Sequence, residues 1–321
     1  RQIDGLLLEA NDFVYEEEYE KAATAFSRAR EMQRNLNLEF PRSPYASQTR
    51  EERLRVRMQN ASAFDSYERL RDLETLLNRS LREGNFQEAR ILIGQLSDRL
   101  SQFQVRYSLS TLPIDALADR ISYLRRKERD LGEIQSSINS DLLPLPGEAA
   151  AGLLVSEVPQ YLFELVTDSN PSRHVGMELP VETISPAEVE QFLQQVSWVL
   201  AREVRLPTLA EFRRAAAEVL AVEDFEVFCS GSGVSETRSV QSLAPGPSGF
   251  YHLLGNVSEM VTSGESPGVF HVGGNLRTIR EQILEMQPVR IDSGERNRMV
   301  GFRFVVLDIP LPPSLTEDPE V

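Results

Sequence analysis

The sequence predicts an α+β protein in two parts, an all-helical N-terminal domain followed by an irregular α+β domain. Three observations carry this. Apolar residues recur at helical spacing through the first 142 positions, and the pattern then stops. Proline and glycine become frequent after the stretch LLPLPGEAAAG at 142–152. The charge balance changes at the same place. Residues 1–147 carry 22 basic against 24 acidic side chains, whereas residues 148–321 carry 12 against 25 and hold most of the net charge of −15. The expected boundaries are 1–142 for the helical domain, 143–151 for a linker, 152–309 for the second domain and 310–321 for a Pro-rich acidic tail.

In the first part, Leu6, Ala10 and Phe13, then Ala22, Phe26 and Ala29, stand at helical spacing on either side of a turn at Tyr15–Glu20. Their order resembles a tetratricopeptide-like helix pair, with small residues where helices cross. The stretch at 82–96 (REGNFQEARILIGQL) has similar grammar: Gly84-Asn85 breaks, Ala89 crosses, and Ile93 and Leu96 pack. The two copies share no clean period, so irregular helices rather than a solenoid are expected. Pro41–Pro44 marks a break, and Pro113 is expected to start a last long helix, Ile114–Asp141. Its stripe of Leu117, Ile121, Leu124, Leu131, Ile134 and Ile138 reads as core, with a dimer seam as the alternative.

The second part shows two short helices. Ser185 caps the first, Pro186–Leu200, with proline in its first turn. Thr208 and Glu211 form a capping box for the second, Leu209–Leu220. Gly255-Asn256 is expected in a positive-φ turn, and Gly301 where strands approach closely.

A composition of 41% hydrophobic and 26% charged residues is that of a globular protein, and no apolar run reaches the ~18–20 residues a bilayer span needs. The acidic second part repels phosphate backbones, so nucleic acid is not an expected partner. Cys229 is the only cysteine, which excludes an intramolecular disulfide or a CxxC site. No P-loop, GxSxG or HExxH is present, and CSGSGVSE (229–236) reads as a loop with little capacity for phosphate. The chain opens at Arg1 rather than Met, so a fragment or processed form is expected.

Five segments in order carry a family resemblance: EVPQYLFELVTDSNPSRHVGMELPVETIS (157–185), RLPTLAEFRRAA (205–216), GFYHLLGNVSEM (249–260), VGGN (272–275) and VGFRFVV (300–306). Together they resemble the formylglycine-generating-enzyme-like (sulfatase-modifying-factor) domain over about residues 152–307. The resemblance implies a variant of the C-type-lectin-like fold with few regular elements.

The resemblance also implies what is missing. The family's enzymes hold copper with a cysteine pair between the segments matching VGGN and VGFR. Residues 275–299 here contain no cysteine and no histidine, so formylglycine generation is rejected. A related branch, the iron-dependent sulfoxide synthases, draws histidines from an N-terminal helical domain. His174, His252 and His271 all lie in the second part, so that iron site is not expected either. For calcium, the match retains Gly255, Val257 and Glu259, but His252 replaces the family's side-chain oxygen, a poor exchange for a hard cation. No cofactor is expected; Ca²⁺ is the one ion left open, and Glu259 is expected to pair with Arg303 instead.

Against the acidic background, Arg277, Arg280, Arg290, Arg296, Arg298 and Arg303 make up half of the second part's basic residues. They satisfy nearby acids or form a recognition face for an acidic segment or anionic ligand, with the first five as candidate contacts. The reading is a non-catalytic interaction or ligand-recognition protein with a protein partner, on a pseudoenzyme scaffold. The alternatives are a divergent metal-dependent enzyme and a carbohydrate-binding lectin-like module, for which Phe250, Tyr251 and Phe270 are the candidate aromatics. The resemblance further suggests a bacterial origin, in a periplasmic or extracytoplasmic part of a longer signalling or envelope protein; oligomeric state is left open.

Overall fold

The computed structural model describes residues 1–222, 226–264 and 267–309; the expected tail at 310–321 lies outside them. The chain divides into two compact units, residues 1–128 and a second beginning at Arg129.

The first unit is helical: α1 Gln2–Tyr15, α2 Tyr19–Glu39, α3 Gln48–Arg82, α4 Phe86–Arg106 and α5 Asp115–Arg126. The chain reverses between α1 and α2 with Glu17 at φ 62°. Ala10, Ala22, Ala25, Phe26 and Ala29 form the core there with Leu54 of α3. Alanines allow the helix axes to approach, and Phe26 fills the remaining space. Gly84, at φ +70°, ends α3, and Asn85 caps α4 by accepting from the Glu88 N–H. Ala89, Ile93 and Leu96 are fully buried.

The second unit contains α6 Leu131–Asn139, β1 Leu142–Leu145, β2 Glu148–Leu154, α7 Gln160–Thr167, α8 Pro186–Leu200, β3 Val204–Arg205 and α9 Leu209–Leu220. There follow β4 Ser258–Thr262, β5 Val269–Val272, α10 Arg280–Glu285, β6 Val289–Ile291, β7 Val300–Gly301 and β8 Val305–Leu307. Two four-stranded sheets result, in the orders β1-β2-β8-β3 and β6-β5-β4-β7. Among the described strands of these sheets, only β4 and β7 pair in parallel. The capping boxes of α8 (Ser185, Glu188) and α9 (Thr208, Glu211) are both formed. Phe212 is fully buried, in a core that also holds Phe250, Leu253, Val261 and Val305.

Three expectations require correction. The helix expected over Ile114–Asp141 is two helices, ending at Arg126 and resuming at Leu131. Its apolar stripe serves two cores: Ile121 and Leu124 are buried in the first unit, Leu131, Ile134 and Ile138 in the second. No proline or glycine marks the break, and packing decides it: α6 lies against α7 and α8, with Gln135 Nε2 donating to the Val199 carbonyl at 2.7 Å. The unit boundary accordingly falls after Glu128 instead of at 142. Residues 143–151, expected as a linker, lie in a β-hairpin in which Leu142 pairs with Leu154 and Leu143 with Leu153. Pro144 is tolerated because β1 is an edge strand, and Gly147 turns the hairpin at φ +83°.

Candidate functional site

The stretch 249–260 leads into β4 and places Glu259 in the interior. Glu259 pairs with Val272 on β5 and Gly301 on β7. Two residues beyond Gly301, Arg303 is brought beside it. The Arg303 Nε donates to Glu259 Oε2 at 2.6 Å and its Nη2 to Oε1 at 2.7 Å, so the carboxylate is held by a bidentate fork. Arg303 Nη2 also donates to the Tyr251 carbonyl at 2.8 Å, and Nη1 donates to the carbonyls of Val155 at 3.1 Å and Leu154 at 3.3 Å. All five guanidinium N–H groups thus have acceptors. The pair is 0% and 1% exposed. The expected Glu259–Arg303 contact is present, and it ties together the end of β2, the 249–257 loop and β4.

A second carboxyl, Glu157, is fully buried nearby. Its Oε1 accepts from Asn256 Nδ2 at 2.9 Å, while Oε2 is buried without a partner among the described residues. Burial, reinforced by the charge of Glu259 and only partly offset by Arg303, pushes Glu157 up to about 8. Burial also pushes Glu259 upward, against the pull of Arg303. Arg303 spends its hydrogen bonds on Glu259 and not on Glu157, and this bidentate geometry favours the charge on Glu259 and the proton on Glu157. His252 is lowered to about 4 by burial and by Arg303, so its imidazole is neutral; it stacks on Phe228 at 5.3 Å.

Asn256 organises the loops around this core. At φ 55° it follows Gly255 at φ +80°. Its Oδ1 accepts from the Arg238 N–H at 2.9 Å and its Nδ2 also donates to the Arg238 carbonyl at 3.2 Å. A Cβ on Gly255 would stand 2.5 Å from the Phe228 carbonyl oxygen, so only glycine fits. A Cβ on Gly301 would meet the Val181 carbonyl oxygen at 2.8 Å.

These residues do not fit the family's metals. Calcium at Gly255, Val257 and Glu259 would draw on a carboxylate whose two oxygens already accept from a guanidinium, placing a dication against a cation. Copper needs a thiolate pair, and the chain has Cys229 alone, buried. Among the described residues no group of three or more His, Cys, Asp or Glu side chains is placed to hold an ion.

The structure separates the five candidate arginines. Arg277 and Arg298 line one cavity of about 240 Å³ together with Arg173. Arg290 lines another, of about 1200 Å³, with Trp198, Arg205 and Asp292. Arg296 pairs with Glu188 at 2.6 Å, extending the α8 capping box. Arg280 opens α10, away from the lining of either cavity. Spacing along the sequence suggested one face; the fold instead sends Arg277 and Arg298 to one cavity and Arg290 to another. Among the proposed carbohydrate aromatics, Phe250 is core and Phe270 packs against it, whereas Trp198, outside that set, lines the larger cavity. Arg205, of the same cavity lining, holds Glu211 in a two-pronged fork. Burial opposes its ionisation, yet Arg205 and the Thr208 N–H bring it down to about 2. Sequence reasoning did not single out Arg173 or Trp198 as contacts; Arg173 stood in view within the NPSRH stretch.

Residues 163–307 match a family model described as the sulfatase-modifying factor enzyme 1-like domain. The second unit therefore carries a formylglycine-generating-enzyme-like domain, preceded by a helical region. Among solved structures, the chain is similar to variable protein 1 of Treponema denticola, at 21% identity over 49% of this chain and 84% of that one, with a TM-score of 0.44. It is also similar to CarF (17% identity, 49% and 86% coverage, TM-score 0.40) and to PvdO from Pseudomonas aeruginosa (16% identity, 49% and 80% coverage, TM-score 0.42). No curated protein matches the chain.

Proposed function

We propose that the chain is a non-catalytic recognition protein, in which a formylglycine-generating-enzyme-like domain serves as a rigid binding scaffold. The observation that carries this reading is the Glu259–Arg303 pair. Every hydrogen-bonding position of the guanidinium and both carboxylate oxygens are spent on holding β2, β4 and the 249–257 loop. A buried, fully matched ion pair resists the change of charge that acid–base or metal chemistry demands. The sole cysteine supports the same reading, since it cannot form the paired thiolate site of the family's enzymes.

Recognition then falls to side chains carried outward by the loops, with an acidic or anionic partner favoured by the exposed arginines. The test is metal analysis of the purified chain, with thermal unfolding followed with and without Ca²⁺. The expected result is substoichiometric metal and no calcium-dependent rise in melting temperature. A stoichiometric transition metal, or a calcium-dependent rise that Glu259→Gln abolishes, would overturn the proposal.

A second reading rests on Trp198. It faces the larger cavity beside Glu190, Gln191, Arg205 and Asp292, and an aromatic face bordered by hydrogen-bonding side chains suits a sugar ring. Quenching or blue-shift of the emission of this only tryptophan on titration with oligosaccharides tests it, and an unchanged spectrum across a broad panel would exclude it.

A further inference from the structure

We infer that the cavity lined by Arg173, Arg277 and Arg298 is a binding site for a phosphate or sulfate oxyanion. Three loops remote in sequence deliver the three arginines to one cavity of about 240 Å³. None of them forms an ion pair among the described residues, in a chain with a net charge of −15 that offers acids in excess. Surface arginines in an acidic protein are expected to find carboxylates; three that converge on a common space without doing so leave their donors for a ligand.

Each loop is fixed before any ligand arrives. The same local device recurs on all three: an asparagine side chain accepts the backbone N–H two residues on. Asn170 Oδ1 accepts from Ser172 at 3.1 Å, Asn275 Oδ1 from Arg277 at 3.0 Å, and Asn297 Oδ1 from Met299 at 3.0 Å. Buried polar side chains then lock the loops to the core. Gln160 donates to the His174 carbonyl at 2.7 Å and accepts from Asn170 Nδ2 and the Gly176 N–H. Asn275 Nδ2 donates to Ser258 Oγ at 2.9 Å, and Ser258 in turn donates its N–H to the Met299 carbonyl. Pre-set loops reduce the ordering cost of binding.

The acids in the cavity are occupied. Glu182, 1% exposed, accepts from the His174 N–H at 2.8 Å and from the Thr183 hydroxyl. Glu236 stands 3.3 Å from His174 Nε2. Three guanidiniums against two carboxylates leave a positive excess. The hydroxyls of Ser235 and Thr237, from the 229–236 loop and its end, supply further donors. The volume lies below the ~300 Å³ at which drug-sized ligand sites begin, so it suits one oxyanion group and not an extended molecule. A carboxylate offers two oxygens to one fork, whereas a tetrahedral oxyanion offers enough for several. Charges farther from the cavity than the ~8 Å screening length of physiological salt are largely screened, so the chain's net negative charge weighs less on a single small anion than on an extended polyanion.

This inference deepens the recognition reading and rests on it, but its test reads a different quantity from metal content. The full chain is titrated with inorganic phosphate and with sulfate by calorimetry at fixed ionic strength, with acetate and chloride as controls. Saturable 1:1 binding of phosphate or sulfate is expected, at least about tenfold tighter than acetate. Arg277→Gln and Arg298→Gln, both exposed and each losing a charged hydrogen-bonding group, should each weaken it about tenfold while leaving the ligand-free melting temperature unchanged. Equal responses to all four anions, no measurable binding, or unchanged affinity in both variants would overturn the site. A failure here with no metal in the protein would leave the scaffold proposal standing, while stoichiometric metal together with anion binding would leave the site standing without that proposal.

Discussion

At the scale of single residues, the interior of the second unit is decided by one guanidinium that pairs with one of two buried carboxyls. Replacing Arg303 by methionine leaves Glu259 buried and unpaired; breaking such a pair costs about 3–5 kcal/mol. Denaturant unfolding should show that loss for Arg303→Met and for Glu259→Gln, with a smaller loss for the double replacement, since it leaves no orphan charge. Glu157 makes a separate prediction. Its folded value of about 8 lies above the ordinary 4.5, so the folded state holds the proton more tightly than the unfolded chain. Its contribution is fully present below about pH 4.5 and is lost as pH rises through 8. Stability should therefore decline by a few kcal/mol between about pH 5 and 9. Glu157→Gln, which keeps an acceptor for Asn256, should flatten that slope; an equal slope in the variant would show that the proton resides elsewhere. The Glu259–Arg303 pair was legible in the sequence, because a calcium ligand left without its companions needs another cation. Glu157 was not: nothing in EVPQYLF distinguishes a buried glutamate from an exposed one until Asn256 is brought against it from 99 residues away.

At the scale of elements, local chemistry succeeded where it was sufficient. Ser185-Pro186 and Thr208 with Glu211 announced the starts of α8 and α9, because a cap is settled within four residues. Thr208→Ala should cost about 1 kcal/mol by loss of the cap, read as a shift in urea midpoint. Gly255 lies at the other extreme of tolerance. Its positive φ and the 2.5 Å approach to the Phe228 carbonyl leave no room for a methyl, so Gly255→Ala should destabilise the unit by more than about 2 kcal/mol. A fully stable, soluble Gly255→Ala protein would contradict the close packing of the two loops. The hairpin at 142–154 defeated the same local reasoning. Proline, glycine and a run of alanines read as a linker. Only the partner strand β8, about 150 residues later, makes those small residues the middle of a sheet. Short strands of two to four residues carry too few positions for alternation to show.

At the scale of the whole molecule, the division of the chain follows burial rather than helical periodicity. The stripe from Leu117 to Ile138 has one spacing and two destinations, and a pattern in sequence cannot state which core receives each turn of helix. The family resemblance located the second unit because five ordered segments constrain a fold more tightly than any periodicity, and yet it began at 152, past α6 and inside the first hairpin. This distinction can be tested by cutting the chain. A fragment of residues 129–321 retains α6, whereas one of residues 143–321 removes Leu131, Ile134 and Ile138, all fully buried. At about 2 kcal/mol for each aliphatic side chain, the shorter fragment forfeits roughly 6 kcal/mol, comparable to the entire stability of many domains. The longer fragment should unfold cooperatively and bind phosphate as the full chain does; the shorter should lack a cooperative transition. If both unfolded with the same midpoint, α6 would belong energetically to the helical unit and the boundary would return to residue 142.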